Sequence, residues 1–412
     1  MTGDFYDKLE TRDEMTRSLS LQMDLPKQIA RAKESTDAYR EILADIDAGA
    51  VVSLEALAKL PVTRKSDLIQ RQAENKPFGG LACTRAGKMK RVYASPGPIY
   101  EPESHVSDYW RMARALYAAG FRDGDLVHNT FSYHFTPAGF MFESGAEAIG
   151  CGVFAAGVGQ TELQLAAIAD LQPVAYAGTP SFLKILLDKA KETGSDTNSL
   201  KKALVSGEAL PPSLRATLEE FGLTVRQCYA TADVGLIGYE SDAMEGLIID
   251  ENLVLELVTP GTGDPVAEGE VGEIVITSFS DVYPLVRFAT GDLSKFLPGK
   301  SPCGRTNLRI AGWMGRADQT TKVKGMFVHP EQVAAVVKRH AEISKARLVV
   351  RSENAIDIMT LCCEVEKPDD NLLSAIKSSI QDVCKLRGEV ELVSPGSLAS
   401  DGKVIDDIRT YE

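Results

Sequence analysis

Residues 287–330 read RFATGDLSKFLPGKSPCGRTNLRIAGWMGRADQTTKVKGMFVHP. Two acid-bearing turns lie in this stretch, Thr290-Gly291-Asp292 and Gly315-Arg316-Ala317-Asp318. The first follows the apolar run Tyr283–Phe288. A carboxylate there can accept hydrogen bonds from two vicinal hydroxyls, so Asp292 suits a ribose diol. Gly291 lets the backbone turn tightly beside such a ligand. The second turn leads into a β-like run and Gly325, which suits a hinge between two domains. Taken alone, each turn also reads as an ordinary loop with a capping Asp.

Upstream of this stretch, strand-like runs alternate with helical ones from about 91 to 280. The strands are Leu126–Thr130, Gly152–Ala156, Ala175–Gly178 and Lys202–Ser206, and the helices fall near 104–119, 137–149, 161–170 and 180–193. That alternation predicts an α/β domain with a largely parallel sheet. Leu253–Val258 and Glu273–Ser278, joined by a Gly/Pro-rich loop, predict a β-rich subdomain. The N-terminus reads as amphipathic helix over 14–48 with a break near Pro26, and a further helix starts at Thr63–Asp67. Downstream, a strand at 322–328, a helix from Pro330, strands near 346–351 and 356–365, a helix near 370–385 and a strand near 389–393 predict a small α+β domain. The expected division is 1–317 and 318–412.

Bulk properties narrow the functional classes. The chain has 412 residues, enough for two or more domains. A formal charge of −13 argues against a nucleic-acid-binding face, which needs clustered basic residues. No apolar run is long enough to span a bilayer. The opening MTGDFYDKLETRDEMTRS is acidic and polar, unlike a signal peptide. The seven cysteines are scattered without a CxxC pair, which predicts free thiols in the cytoplasm.

Four other segments hold residues able to do chemistry. Tyr229 opens Tyr229-Ala230-Thr231-Ala232-Asp233, where an aromatic could stack on a purine and an acid could reach a metal ion; a half-buried Tyr and a loop Asp are the plain reading. Lys403, in Ser400-Asp401-Gly402-Lys403, could bring an ammonium to a reacting phosphate or sit in solvent. Ser95-Pro96-Gly97-Pro98-Ile99-Tyr100-Glu101-Pro102 follows a strand, as phosphate-cradling loops do. Its prolines lack N–H groups and Glu101 would repel phosphate, so by itself it reads as a stiff loop. Phe131, Tyr133, His134, Phe135, Phe140 and Phe142 could line an apolar pocket or belong to the core.

The order of these segments resembles the adenylate-forming acyl-CoA synthetases, specifically the phenylacetate–CoA ligase branch, over nearly the whole length. Leu60-Pro61-Val62-Thr63-Arg64-Lys65-Ser66-Asp67-Leu68 and Pro77-Phe78-Gly79-Gly80-Leu81 are similar to that branch's opening. The resemblance implies a large N-terminal adenylate-forming α/β domain, with mostly parallel sheets and a β-rich subdomain, and a small α+β C-terminal lid. It places Ser95 and Gly97 in a phosphate loop and Ser206, Gly207 and Glu208 beside the adenine. Tyr229 then stacks on the adenine, with Ala230 and Thr231 next to it, and Asp233 is the Mg²⁺ ligand. Asp292 holds the ribose, Arg316 contacts the nucleotide, Asp318 is the hinge, Gly325 meets the CoA channel, and Lys403 drives adenylation. Tyr133, His134, Phe135 and Phe140 would border the acyl group.

The chain departs from the family at three places, one of them the metal-binding acid, where Asp233 is one methylene shorter than the usual Glu and Ala232 replaces the usual Ser or Thr. The family's phosphate loop resembles Ser-Ser-Gly-Thr-Thr-Gly-Lys-Pro, whereas this chain keeps Ser95, Gly97 and Pro102 and puts Glu101 at the lysine. A lost charge-assisted contact costs about 1.5–3 kcal/mol, so weaker ATP binding is expected. Many members also carry a Cys/His cluster, of which Ser301-Pro302-Cys303-Gly304-Arg305 retains one cysteine, so no zinc is expected. The resemblance implies an AMP-forming carboxylate–CoA ligase using ATP, Mg²⁺ and CoA on an aryl or arylacetic acid. It also implies a homodimer, and no nucleic-acid or membrane partner. Two alternatives remain: an adenylating enzyme with a non-CoA acceptor, and a catalytically impaired homologue that binds a nucleotide or acyl ligand.

Overall fold

The computed structural model describes residues 4–317, 321–328, 330–353, 356–399 and 404–409. The chain divides into two compact units, Met1–Met314 and Gly315–Glu412.

The first unit is built on two sheets. Five parallel strands lie in the order Gly152–Ala155, Leu126–Asn129, Ala175–Gly178, Lys202–Val205 and Thr224–Thr231. Antiparallel strands Gly235–Tyr239, Leu247–Ile249, Arg309–Ile310 and Phe296–Leu297 extend this sheet to nine. The helices Ala138–Ala148, Thr161–Leu171, Pro180–Thr193 and Pro212–Glu219 alternate with the parallel strands, as right-handed crossovers require. Gly178, Ala177 and Tyr176 are buried, which suits a strand covered on both faces. The second sheet orders Thr63–Arg64, Phe288–Ser294, Gly272–Ser278 and Leu253–Val258. Its first pair is parallel, so residues near 63 lie beside Thr290-Gly291-Asp292, which is not a separate turn but a register irregularity within the strand Phe288–Ser294.

Helix Glu14–Ser35 packs Leu25, Gln28, Ile29 and Ala32 inward, a spacing that marks one helical face. The expected break at Pro26 does not occur. The carbonyl deprived of a donor by Pro26 belongs to Gln22, which is exposed to water. The chain breaks instead at Thr36, whose hydroxyl donates to Ala32 O at 2.8 Å and accepts from Tyr39 N at 3.2 Å, capping the next helix. Near 104–119 only Ala113–Ala118 is helical. Asp108 accepts from Met112 N at 2.8 Å and Ala113 N at 3.0 Å, and left-handed backbone at Asp108 and Arg111 prevents an earlier start.

In the second unit the expected strand over 322–328 is a hairpin of Thr321–Val323 with Met326–Val328. Lys324 and Gly325 turn it with φ of 48° and 82°, the positive values that two-residue hairpin turns require. A four-stranded sheet follows, ordered Glu389–Val393, Ile356–Val365, Ile343–Glu353 and Ile405–Asp407. Helices Pro330–Val337 and Asp370–Cys384 complete the unit. Val333, Val336, Leu348, Val350, Leu361 and Ile376 form its core.

Candidate functional site

The parallel strands end along one edge, and the order of the sheet reverses at Leu126–Asn129, which is flanked by the two strands that follow it in sequence. Crevices form outside carboxyl ends at such a reversal. Ser206 lies on the same edge, at the end of Lys202–Val205, two strands from that reversal; its N–H donates to Gly178 O at 3.2 Å and its hydroxyl to Cys228 O at 2.8 Å. Gly207 continues with φ of 82°, and the exposed Glu208 accepts from Ser181 N at 3.4 Å. Along the next strand the register shifts between Tyr229 and Ala230. Such a shift re-aims side chains at a strand end. Thr231 then accepts from Val234 N at 3.2 Å.

Asp292 joins the two sheets at this edge. The Tyr229 hydroxyl donates to Asp292 Oδ2 at 2.6 Å, and the indole N–H of Trp313 donates to Oδ1 at 3.0 Å. Asp292 is only 8 % exposed, and Gly291 turns the backbone before it with φ of 79°. The two donors approach different oxygens and so orient the carboxylate. Trp313 was not legible as a partner. The only signal in the sequence is an indole donor placed between the two acid-bearing turns.

Asp233 lies four residues beyond Tyr229 on the Tyr229–Asp233 segment and is buried. Its Oδ2 accepts from Lys65 Nζ at 2.5 Å. Its Oδ1 is buried without a hydrogen-bond partner among the described residues. An unpartnered carboxylate oxygen suits a hard cation such as Mg²⁺, which binds through one or two carboxylates and the phosphates of its substrate. Lys65 is a second residue that the sequence did not single out as part of a site. It arrives only because Thr63–Arg64 pairs with Phe288–Ala289, a contact between distant parts of the chain.

The expected phosphate loop is a tight hairpin of Arg91–Ser95 and Ile99–Glu103, with Gly97 at its tip between two prolines. Glu101 folds back into it. The Ser95 N–H donates to Glu101 Oε2 at 3.2 Å, and the Ser95 hydroxyl donates to Oε1. Glu101 is fully buried, and burial together with the charge of Asp233 pushes its carboxyl upward in pKa, against the pull of Lys65.

The aromatic segment is part buried and part exposed. Tyr133 and Phe140 meet edge to face at 5.0 Å, and Asn129 Nδ2 donates to the Tyr133 hydroxyl at 2.8 Å. Phe131 stacks on Phe142 at 4.3 Å. His134 is exposed, and Phe135 is 81 % exposed in left-handed backbone. The Phe135 carbonyl accepts from Ala94 N at 2.8 Å and so ties this turn to the hairpin.

In the second unit Arg316 is partly buried, and Gly325 is exposed in its turn. Asp318 and Lys403 lie outside the described residues. Arg287, the first residue of the decisive stretch, belongs to the frame: its guanidinium pairs with Glu256 at 3.1 Å and donates to three backbone carbonyls.

Among the described residues no three His, Cys, Asp or Glu side chains group to hold a metal ion. Burial would raise the Cys303 thiol, but hydrogen bonds with Ser241 and Ser301 and the nearby Arg305 outweigh it and hold it below the usual range. The Ser301 hydroxyl donates to its sulfur at 3.1 Å. Burial pushes the other six thiols up. The thiolate is the reactive form. Brief iodoacetamide treatment near neutral pH should therefore label Cys303 first by peptide mass spectrometry; equal or earlier labelling of Cys83 would contradict this.

Residues 104–280 match the family model described as AMP-binding enzyme. The phenylacetate-coenzyme A ligase of Thermus thermophilus is 31 % identical over 364 residues, which cover 84 % of this chain and 80 % of that protein. The phenylacetate-coenzyme A ligase of Escherichia coli is 28 % identical over 376 residues, covering 85 % of this chain and 84 % of that one. A solved structure of a 2-hydroxyisobutyryl-CoA ligase with 2-HIB-AMP and CoA is similar in fold, with a TM-score of 0.84 at 24 % identity, covering 98 % of this chain and 92 % of that one.

Proposed function

The chain belongs to the AMP-binding enzymes, in the branch of the phenylacetate-coenzyme A ligases, and from that premise we propose that it joins a carboxylic acid to CoA through an acyl-adenylate. The observation that carries the reading is the Tyr229–Asp292–Trp313 clamp at the carboxyl edge of the parallel sheet. It presents an oriented, mostly buried carboxylate where a ribose diol would be held.

In the first half-reaction a carboxylate oxygen of the acid attacks the α-phosphorus of ATP. The bond to the bridging oxygen breaks and pyrophosphate leaves. In the second, the CoA sulfur attacks the acyl carbon, AMP departs, and the thiol proton goes to solvent. Neither step needs a protein nucleophile. The protein's work is to position the reactants and offset charge. In this reading Asp292 fixes the ribose and Tyr229 borders the adenine beside Ser206–Glu208. Mg²⁺, held by Asp233, would neutralise phosphate charge. Lys403 is assigned to the first half-reaction, Asp318 to the hinge and Gly325 to the CoA path, all by family likeness. Alternation of a small domain over one site would let it serve both half-reactions. Tyr133 and Phe140 favour an aryl or arylacetic acid.

No helix among the described residues is long and apolar enough to cross a membrane. All seven cysteines are free thiols, which supports placing the protein in the reducing cytoplasm. Cell fractionation that recovers it outside the cytosol would contradict that placement.

Acid-dependent pyrophosphate release, measured across aryl, arylacetic and short hydroxy acids with and without CoA, tests the reading. Release with at least one acid, and AMP formation coupled to a CoA thioester, is expected. Absence of release with every acid would remove the ligase assignment. Release followed by transfer only to a non-CoA acceptor would keep adenylation and change the second step.

A further inference from the structure

The hairpin that should receive the phosphates is already occupied by a side chain. Ser95 contributes two donors at the hairpin end, its N–H and its hydroxyl, and both go to the Glu101 carboxylate. Pro96 and Pro98 contribute no N–H at all. A backbone N–H and a hydroxyl converging on one anion form the arrangement that phosphate-cradling loops offer to a ligand. Here the acceptor is a carboxyl group of the same chain, anionic once the pH exceeds the value of about 8 to which burial and Asp233 push it.

The charges around this carboxylate reinforce the effect. Glu101 and Glu103 are both fully buried on one face of the hairpin. Glu103 is neutralised locally by Arg91 at 3.1 Å and Lys90 at 3.4 Å. Glu101 and Asp233 act on each other as like charges, with Lys65 as their shared cation. An arriving triphosphate meets the Lys65 ammonium already paired at 2.5 Å with Asp233, and a carboxyl group holding the loop's donors. At the nucleoside clamp, by contrast, Tyr229 and Trp313 orient the Asp292 carboxylate.

Resting on the adenylate reading above, we propose that Glu101 is an intramolecular stand-in for a phosphate group, which sets this site to hold AMP and acyl-adenylate in preference to ATP. The nucleoside end recognises adenosine in all three. The hairpin discriminates among them, because only ATP brings the β- and γ-phosphates that must displace Glu101 or stay outside the loop. The second half-reaction, acyl-adenylate plus CoA to thioester plus AMP, proceeds without that displacement in either direction.

Equilibrium titration of the full-length protein with AMP and with ATP in excess Mg²⁺ at pH 9, where the Glu101 carboxyl is ionised, tests this, using wild type, Glu101→Gln and Glu101→Ala. Glutamine keeps the shape and removes the charge, so folding is preserved even where alanine loosens the hairpin. Wild type should bind AMP more tightly than ATP. Glu101→Gln should strengthen ATP binding about 10-fold, the scale of one charge-assisted hydrogen bond, and change AMP binding less than about 3-fold. ATP binding as tight as AMP in wild type, or unchanged ATP affinity in both variants, would overturn the proposal. Failure of wild type to bind AMP at all would instead remove the adenylate reading beneath it.

Discussion

Arg287→Ala should destabilise the first unit by about 3–5 kcal/mol, the scale observed when one partner of a buried ion pair is removed. Arg287 is 2 % exposed and its guanidinium meets Glu256 at 3.1 Å, Ala58 O at 2.8 Å, Leu60 O at 2.5 Å and Gly263 O at 2.8 Å. Alanine strands a carboxylate and three carbonyls together. Lysine is no remedy, since a single ammonium cannot reproduce the planar fork. Both tryptophans, Trp110 and Trp313, lie in the first unit, so urea unfolding followed by tryptophan fluorescence reports it. The loss should also depend on pH. Burial raises the Glu256 carboxyl in the folded protein, and Arg287 opposes that rise. Without Arg287 the folded pKa climbs further above the unfolded one. Between those two values the native state binds more protons, so its stability falls as pH rises. The deficit of the variant relative to wild type should therefore grow from pH 5 to pH 8. A deficit under about 1 kcal/mol, the range of an exposed pair, would show that this ion pair is not part of the frame.

Asp292→Ala should weaken AMP binding by about 10- to 100-fold, because hydrogen bonds to a charged group contribute about 1.5–3 kcal/mol. The variant removes the acceptor for Tyr229 and Trp313 as well as the proposed ribose contact. Tyr229→Phe separates these effects. It deletes one orienting donor and keeps the ring, so AMP affinity should fall about 3- to 10-fold, the smaller step expected for one hydrogen bond. AMP binding by Asp292→Ala within about threefold of wild type would place the ribose elsewhere. The indole of Trp313 supplies the readout, since its N–H donates to the same carboxylate.

Local pattern made much of this architecture readable. The alternation of short apolar strands with helices predicted the parallel sheet, because buried strands and crossover helices differ in length and periodicity. The helix Pro180–Thr193 begins with a Thr179 cap and a first-turn proline and ends at Gly194, signals written in adjacent residues. What local pattern missed depends on contacts between distant residues. Thr36, rather than Pro26, ends the first helix because its hydroxyl can serve two helices at once. Lys65 reaches Asp233 across 168 positions, through a two-residue parallel pairing too short to leave a periodic signal. Glu101 was legible as a reversed charge, but its use of both Ser95 donors follows from the hairpin's closure.

The first helix bears on how this fold could be dissected. Gln28 reaches from it to Ser278 O at 2.7 Å and Ser280 O at 2.9 Å, and Leu25 and Ile29 share one core with Leu255, Ile274, Ile276 and Phe288. The segment 104–280 that carries the family signature therefore ends inside a sheet whose other strands, and whose covering helix, come from outside it. Excised at those limits, it would expose strand edges and a bare apolar face, the features that drive aggregation. The recognisable signature and the smallest portion able to fold by itself are thus different stretches of this chain.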